Sequence, residues 1–485
     1  MTMKMLSKKI YTILLMVILI VGSPFGIIEA VASMASEEQL FFEKLNEART
    51  NPLVVAESAG LDKEQVLADL PALRRVLTYG TPKLWYNEDL KNAAEQHSLD
   101  MMNRFYYSQT TPEGLLYEQR IENVGYAAER TGVALGVLAF YNFMGLEEAV
   151  QLLFENLFRD ELKPDRIAKR NILNSGFQEV GVSIKTGTWT IGKADYNIVL
   201  VTCYFGTRKV IEKGNSVLLN LINQARANPL QYAASLGMDT EEIIARFPEW
   251  ENILTAGLPP VNVNTTLSWT AGFHTIDMMV NKFYGSNSSN GLTFPERLEL
   301  AGYESSHQGE ITGYYPAGDY VEPAEAARSM FEDIFKHELN SEWESERVIL
   351  SPSLSEIGVG FGMGLLSMND GLVNAYLMAC DLGEPSNRNY YYLNGRVYKD
   401  LDENGMFTPG EEISDASLDL EIYSLPLGIH SKKTILTGES GEICLQMPPC
   451  YIQVSTVIDG EAFQSGVLPL IRENQVVVFK VAADR

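Results

Sequence analysis

The hydrophobic pattern of this chain runs through the same course twice. Apolar residues recur at helical spacing over residues 38–48 and again over 216–225, and each run predicts an amphipathic helix. Gly60 and Gly237 follow as helix C-caps. Asp62 with Gln65, and Asp239 with Glu242, read as N-caps with a capping partner three residues on, opening a helix that stops at Pro71 or Pro248. A further helix carries residues 90–97 in the first course and 267–279 in the second. Apolar runs at 180–185 and 196–205, then at 357–362 and 374–382, predict strands. Helices first and strands last favour an α/β or α+β layered domain over a Rossmann unit. No Gly-rich phosphate loop follows a strand.

The two courses share residues as well as pattern, at an offset of 177. Asn46-Glu47-Ala48-Arg49-Thr50-Asn51-Pro52 returns as Asn223-Gln224-Ala225-Arg226-Ala227-Asn228-Pro229, and His97-Ser98-Leu99-Asp100-Met101-Met102 as His274-Thr275-Ile276-Asp277-Met278-Met279. Glu179-Val180-Gly181-Val182 returns as Glu356-Ile357-Gly358-Val359. A period this long marks a duplicated domain rather than a solenoid. The expected units are 36–207 and 213–383. After a polar linker at 384–390, alternating segments at 418–423, 441–446, 451–457 and 476–481 predict a small all-β domain over 391–485.

Composition narrows the function. The net charge of −25 repels phosphate backbones and excludes nucleic acid as an expected partner. Lys4, Lys8 and Lys9, the apolar run 10–21 and the small residues Ala30-Val31-Ala32, with Ala35 as an alternative end, read as an export signal over 1–35. Gly22, Pro24 and Gly26 break the run before it is long enough to span a bilayer. The expected location is therefore secreted or at the cell surface, with no transmembrane anchor after cleavage. Four cysteines are too few for a disulfide scaffold. Cys203 and Cys380 read as buried thiols, and a Cys444–Cys450 bridge stays open.

Leu84-Trp85, Ala93-Ala94, His97-Ser98, Asp100-Met101, Tyr106-Tyr107-Ser108, Gly125-Tyr126 and Asn171-Ile172-Leu173 follow one another in an order that resembles the CAP superfamily. These are the domains shared by cysteine-rich secretory proteins, antigen 5 and plant pathogenesis-related proteins. The second course adds Phe283-Tyr284, Gly302-Tyr303, Gly309-Glu310-Ile311, Ile349-Leu350 and Glu356-Ile357-Gly358-Val359-Gly360. The resemblance implies two tandem α-β-α sandwich domains. It also implies a cleft in which two His and two Glu can hold a metal. At the first His position stand Gln109 and Ser286, and at the second Ala168 and Ser345. The carboxylates expected to remain are Glu310, with Glu129 as its counterpart, and Glu155 and Glu332, with Glu161 and Glu338 as rivals. Without imidazoles this is a poor zinc site. An unconventional set of His307, Glu310 and His337 is the exception to weigh. His97 with Asp100, and His274 with Asp277, share a helix face, and read as structural histidines rather than as parts of a catalytic triad.

The sharpest chemical signal lies in the tail. Residues 400–411 fit D-x-[DN]-x-[DN]-G-x5-E at every position. Asp400, Asp402 and Asn404 offer side-chain oxygens, Met406 its carbonyl, Thr408 its hydroxyl, and Glu411 a bidentate carboxylate, a set suited to calcium. Without flanking helices it is not an EF-hand. With Leu393-Asn394-Gly395-Arg396-Val397-Tyr398 before it and Met447-Pro448-Pro449 later, the tail resembles the calcium-binding B repeats of bacterial surface adhesins. The expected function is an exported, non-enzymatic protein that binds an extracellular ligand (lipid, glycan or protein) and carries a calcium-stabilised tail. The alternative is a secreted hydrolase with Glu129 or Glu310 as general base.

Overall fold

The computed structural model describes residues 11–16, 35–142, 144–166, 169–210, 212–341, 347–369, 371–403, 405, 407–408, 410–424, 429–438 and 441–483. The expected positions Ala168, Ser345, Asn404 and Met406 lie outside these residues, as does most of the 1–35 segment. Within that segment Tyr11–Met16 forms strand β1. It pairs in parallel with β7 (Ser305–Pro316) of the second unit, so part of the apolar run assigned to the export signal is a sheet edge here.

The first unit contains α1 (Ser36–Thr50), α2 (Pro52–Ser58), α3 (Lys63–Asp69), α4 (Arg74–Tyr79), β2 (Trp85–Tyr86), α5 (Glu88–Arg104), α6 (Tyr117–Asn123), β3 (Ala128–Phe140), α7 (Leu146–Glu161), β4 (Glu179–Ile191) and β5 (Ala194–Arg208). The second unit repeats this order. It contains α8 (Gly214–Ala227), α9 (Pro229–Ser235), α10 (Thr240–Arg246), α11 (Glu251–Ala256), β6 (Asn262–Val263), α12 (Thr265–Asn281), α13 (Phe294–Leu300), β7, α14 (Pro323–Asn340), β8 (Glu356–Met368) and β9 (Gly371–Pro385). The sheets run β2-β4-β5-β3 and β1-β7-β9-β8-β6. The expected caps form: Asp62 accepts from the Gln65 amide, and Gly60 and Gly237 take φ of +76° and +75°. The hydrophobic pattern did not single out β3, β7, α7 or α14.

The shared motifs hold these layers together. Arg49 is fully buried and donates to the carbonyls of Pro82, Ile172, Asn174 and Phe177 at 2.7–3.0 Å. Arg226 does the same with Pro259, Ile349, Ser351 and Leu354. The opening motif thus pins two other segments of the chain to the first helix of its unit, 82 and 172–177 in the first unit and 259 and 349–354 in the second. Gly181 and Gly358 let the backbones of α5 and α12 lie directly on the sheet: a Cβ there would stand 2.0 Å from Lys91 N or 1.9 Å from Leu267 C.

The units dock on each other. Trp85 of the first is buried in the core of the second and donates to the Ala317 carbonyl at 3.2 Å. Asn374 brackets the Lys83 backbone at 2.8 and 2.9 Å.

The tail folds as two sheets over one core, β13 (Glu442–Met447)-β10 (Tyr391–Asp400)-β17 (Gln475–Ala482) and β12 (Ile429–Leu436)-β11 (Ser417–Ser424)-β14 (Cys450–Ile458)-β15 (Glu461–Gln464), with β16 (Leu468–Leu470) beside β14. Leu393, Val397 and Phe479 of one sheet meet Leu418, Ile452 and Val454 of the other. Cys444 and Cys450 are both free thiols. The expected linker 384–390 is not a loose joint. Strand β9 runs into it, Arg388 bonds Glu384 at 2.6 Å, and Tyr390 and Tyr392 donate to the buried Glu356 at 2.8 and 3.1 Å. The tail is therefore docked on the second unit.

Candidate functional sites

Helix α5 or α12 lays its histidine on the sheet, and α6 or α13 brings an arginine to it. In the first unit the His97 Nδ1 lies 2.9 Å from the Tyr204 hydroxyl, and Arg120 donates to that hydroxyl at 2.7 Å and to the Gln109 carbonyl at 2.6 Å. In the second, His274 lies 2.8 Å from the Gly285 carbonyl, and Arg297 donates to the Ser286 carbonyl at 2.7 Å and to Glu310. Burial and the neighbouring arginine lower both histidines to about 4, so both are neutral near pH 7. Neither pairs with the aspartate on its own helix. Asp100 accepts from Tyr106 at 2.6 Å, and Asp277 from the backbone and hydroxyl of Ser289 at 2.7 and 2.6 Å. These contacts make the histidines structural.

Sheet register corrects one expected pairing. Glu310 lies opposite Asp381, and the same register in the first unit sets Val133 opposite Tyr204. The counterpart of Glu310 is therefore Val133, and the first unit has lost that carboxylate. Glu129 sits beside a register shift at the start of β3, exposed to solvent.

Glu310 and Asp381 are both fully buried. Burial and their mutual repulsion push Glu310 well above the usual carboxylate range, and burial raises Asp381 to about 6. Sealed from solvent and ion-paired with Arg297, Glu310 has no access to a substrate.

Glu155 and Glu332 are half-buried on α7 and α14, with no hydrogen bond to the other expected cleft positions among the described residues. Their rivals are structural. Glu161 accepts from the Asn171 amide at 2.7 Å, and Glu338 from the amides of Val348, Ile349 and Leu350 at 2.7–3.0 Å. Gln109 is exposed, whereas Ser286 is buried with an unpartnered hydroxyl.

Among the described residues, one group of three or more His, Cys, Asp or Glu side chains converges. It is Asp400, Asp402 and Glu411, with ligand oxygens within 4.8 Å of one another. His307, Glu310 and His337 are not gathered in this way. The loop is folded around its own acids. Asp400 accepts from the Gly405 amide at 3.0 Å, and Glu411 from those of Leu401 and Thr408, each at 2.7 Å. The Thr408 hydroxyl reaches Asp402 at 2.9 Å. Gly405 takes φ +79°, the left-handed turn that position six requires. Lys480 approaches Asp400 at 3.3 Å. Sequence reasoning missed what the loop touches: Asn228 donates to the Phe407 carbonyl at 3.0 Å and Gln231 to Thr408 at 3.3 Å, joining the loop to the second unit.

Residues 42–205 match the family model of the cysteine-rich secretory protein family, CAP, a match that covers the first unit. Solved structures similar to parts of the chain include an outer surface protein from Borrelia burgdorferi, at 17% identity and TM-score 0.19, covering 31% of this chain and 97% of that one. An extracellular protein containing an SCP domain from Bacillus anthracis is 16% identical with TM-score 0.21, covering 41% of this chain and 60% of that one. No curated protein matches the chain. Among the described residues no helix is long and apolar enough to cross a membrane.

Proposed function

We propose that this is an exported, non-enzymatic binding protein. In this reading the CAP-type architecture of residues 42–205 is repeated in the second unit, and a calcium-stabilised β-sandwich is clasped to that unit. The observation that carries the reading is the convergence of Asp400, Asp402 and Glu411 around a loop turned by Gly405. Oxygen-only donors suit a hard cation of calcium's size. Asp400, Asp402, Thr408 and Glu411 would hold it, with Asn404 and Met406 supplying the remaining loop positions. The bound ion would offset three carboxylates, of which Asp400 already has Lys480 at 3.3 Å.

The units themselves support binding over catalysis. Gln109 and Ser286 replace one imidazole position, Glu310 is sealed, and neither histidine is aligned with a nucleophile. Metal analysis of the full chain after dialysis against calcium and zinc tests the reading. It predicts one calcium and no zinc per chain. Stoichiometric zinc, or no calcium, overturns it.

A further inference from the structure

The duplication contains its own control. Beside each structural histidine lies an open groove, of about 630 Å³ in the first unit and about 610 Å³ in the second. At the 177-residue offset, Asn92, Gln96 and Asn123 of the first unit are replaced by Trp269, Phe273 and Leu300 in the second. All three first-unit residues are exposed polar side chains. The three replacements are also exposed, at 61%, 59% and 74%, on a chain that is otherwise strongly acidic. Trp269 and Phe273 stand one helical turn apart on α12 with ring centroids 5.3 Å apart, and Leu300 faces them from the end of α13. Packing explains none of these substitutions, because the first unit folds the same layers with amides there. The expected cleft positions Ser286, Glu310 and Glu332 do not line this groove.

We infer that the second-unit groove binds an uncharged saccharide, stacked by its ring face on Trp269 and Phe273. The lining chooses the ligand class. Its lining leaves no free cation for an anionic ligand: His274 is neutral, Arg297 is bonded to Glu310 and Ser286, and Asp277 is a half-buried acceptor held by Ser289 and Asn281. An anionic ligand would find no partner there and would meet Asp277 and the net charge of −25. Beside these apolar side chains the groove is lined by Thr265, Thr266 and Asn290, whose hydroxyls and amide can hydrogen-bond a ligand. An acyl chain would strip these groups of water and return no hydrogen bond. A pyranose offers both surfaces at once, an apolar C–H face for the rings and a hydroxyl edge for the polar groups. The volume lies in the range of small-ligand sites.

This names a ligand class for the binding role proposed above and rests on that reading, but it is tested separately from calcium. Isothermal titration of the full chain with triacetylchitotriose, cellotriose and maltotriose should give saturable binding to at least one. Trp269→Ala should weaken it tenfold or more. The triple variant Trp269→Asn, Phe273→Gln, Leu300→Asn should abolish it while melting like the parent, since it carries the residues the first unit already tolerates. Asn92→Ala should change nothing. The inference is overturned if no trisaccharide binds, if the triple variant binds unchanged, or if dodecanol occupies the groove and the sugars do not. Saccharide binding without a calcium effect would retain the groove and remove the calcium-stabilised tail. A calcium effect without saccharide binding would do the reverse.

Discussion

Arg49→Ala should be among the most damaging single substitutions in the first unit. The guanidinium is fully buried and donates to four carbonyls, at 2.7 Å to Pro82 and Ile172, 2.9 Å to Asn174 and 3.0 Å to Phe177. Burial lowers its pKa to about 9, opposed by the nearby Glu161, so it stays charged at neutral pH. A hydrogen bond to a charged group contributes roughly 1.5–3 kcal/mol, but four such terms do not add, because their sum would approach the entire stability of a domain. Breaking a buried charged constellation from one side costs about 3–5 kcal/mol. Alanine leaves four carbonyls without donors, which places the loss within that range. For a unit of this size about 1 kcal/mol corresponds to roughly 2–4 °C, so the melting temperature should fall by about 10 °C or more. Arg49→Lys keeps the charge but cannot fork to four acceptors, and should fall in between. Circular dichroism melts of the three proteins at neutral pH are the assay. A drop under about 2 °C for Arg49→Ala would refute the claim that this motif residue ties the loops to the first helix.

Other outcomes follow from the same geometry. Asp381 and Glu310 have raised folded-state pKa values, so their contribution is fully present below the ordinary carboxylate range and is lost as pH rises through about 6. Asp381→Asn removes that loss. Its urea midpoint relative to the parent should therefore climb between pH 4 and about 6 and then level off, and a difference independent of pH would contradict it. His97 has the opposite sign. Its lowered pKa gives stability that is present above its unfolded value and lost as pH falls toward about 4, so His97→Gln should flatten the acid limb of the first unit's melt. Asn228→Ala together with Gln231→Ala should loosen the tail, read as faster proteolysis near residues 384–390, with the melting of the first unit unchanged.

Much of this architecture was legible because the sequence states it twice. Helix caps, the buried strands and the units' shared order follow from local chemistry that repeats at a fixed offset. The turn of the tail loop and the convergence of its acids were legible because the loop motif prescribes residue type position by position. What was not legible depends on register and contact. Glu129 follows a Gly-Tyr pair as Glu310 does, but the 177-residue offset sets Val133, not Glu129, against Glu310, and the pairing of Val133 with Tyr204 agrees. The polar run 384–390 looks like a linker by composition, yet Tyr390 and Tyr392 bond a glutamate that is buried in the second unit. Arg49 and Arg226 look like one more motif letter in the sequence, because most of their acceptors lie more than a hundred residues away. Trp269 and Phe273 sit at helical spacing that reads equally well as core, and only their exposure marks them out.

The central claim is that the tail carries a calcium site that matters to its fold, and scanning calorimetry of the full chain with calcium and with chelator tests it most directly. Extracellular calcium modules bind at roughly 10⁻⁴–10⁻³ M, so millimolar calcium should stabilise the tail by about 1 kcal/mol and raise its transition by a few degrees. Magnesium should do less, since it resists dehydration and demands octahedral geometry. Asp400→Ala should abolish the calcium-dependent shift. Identical melts in calcium and chelator, or a shift that survives Asp400→Ala, would contradict the account.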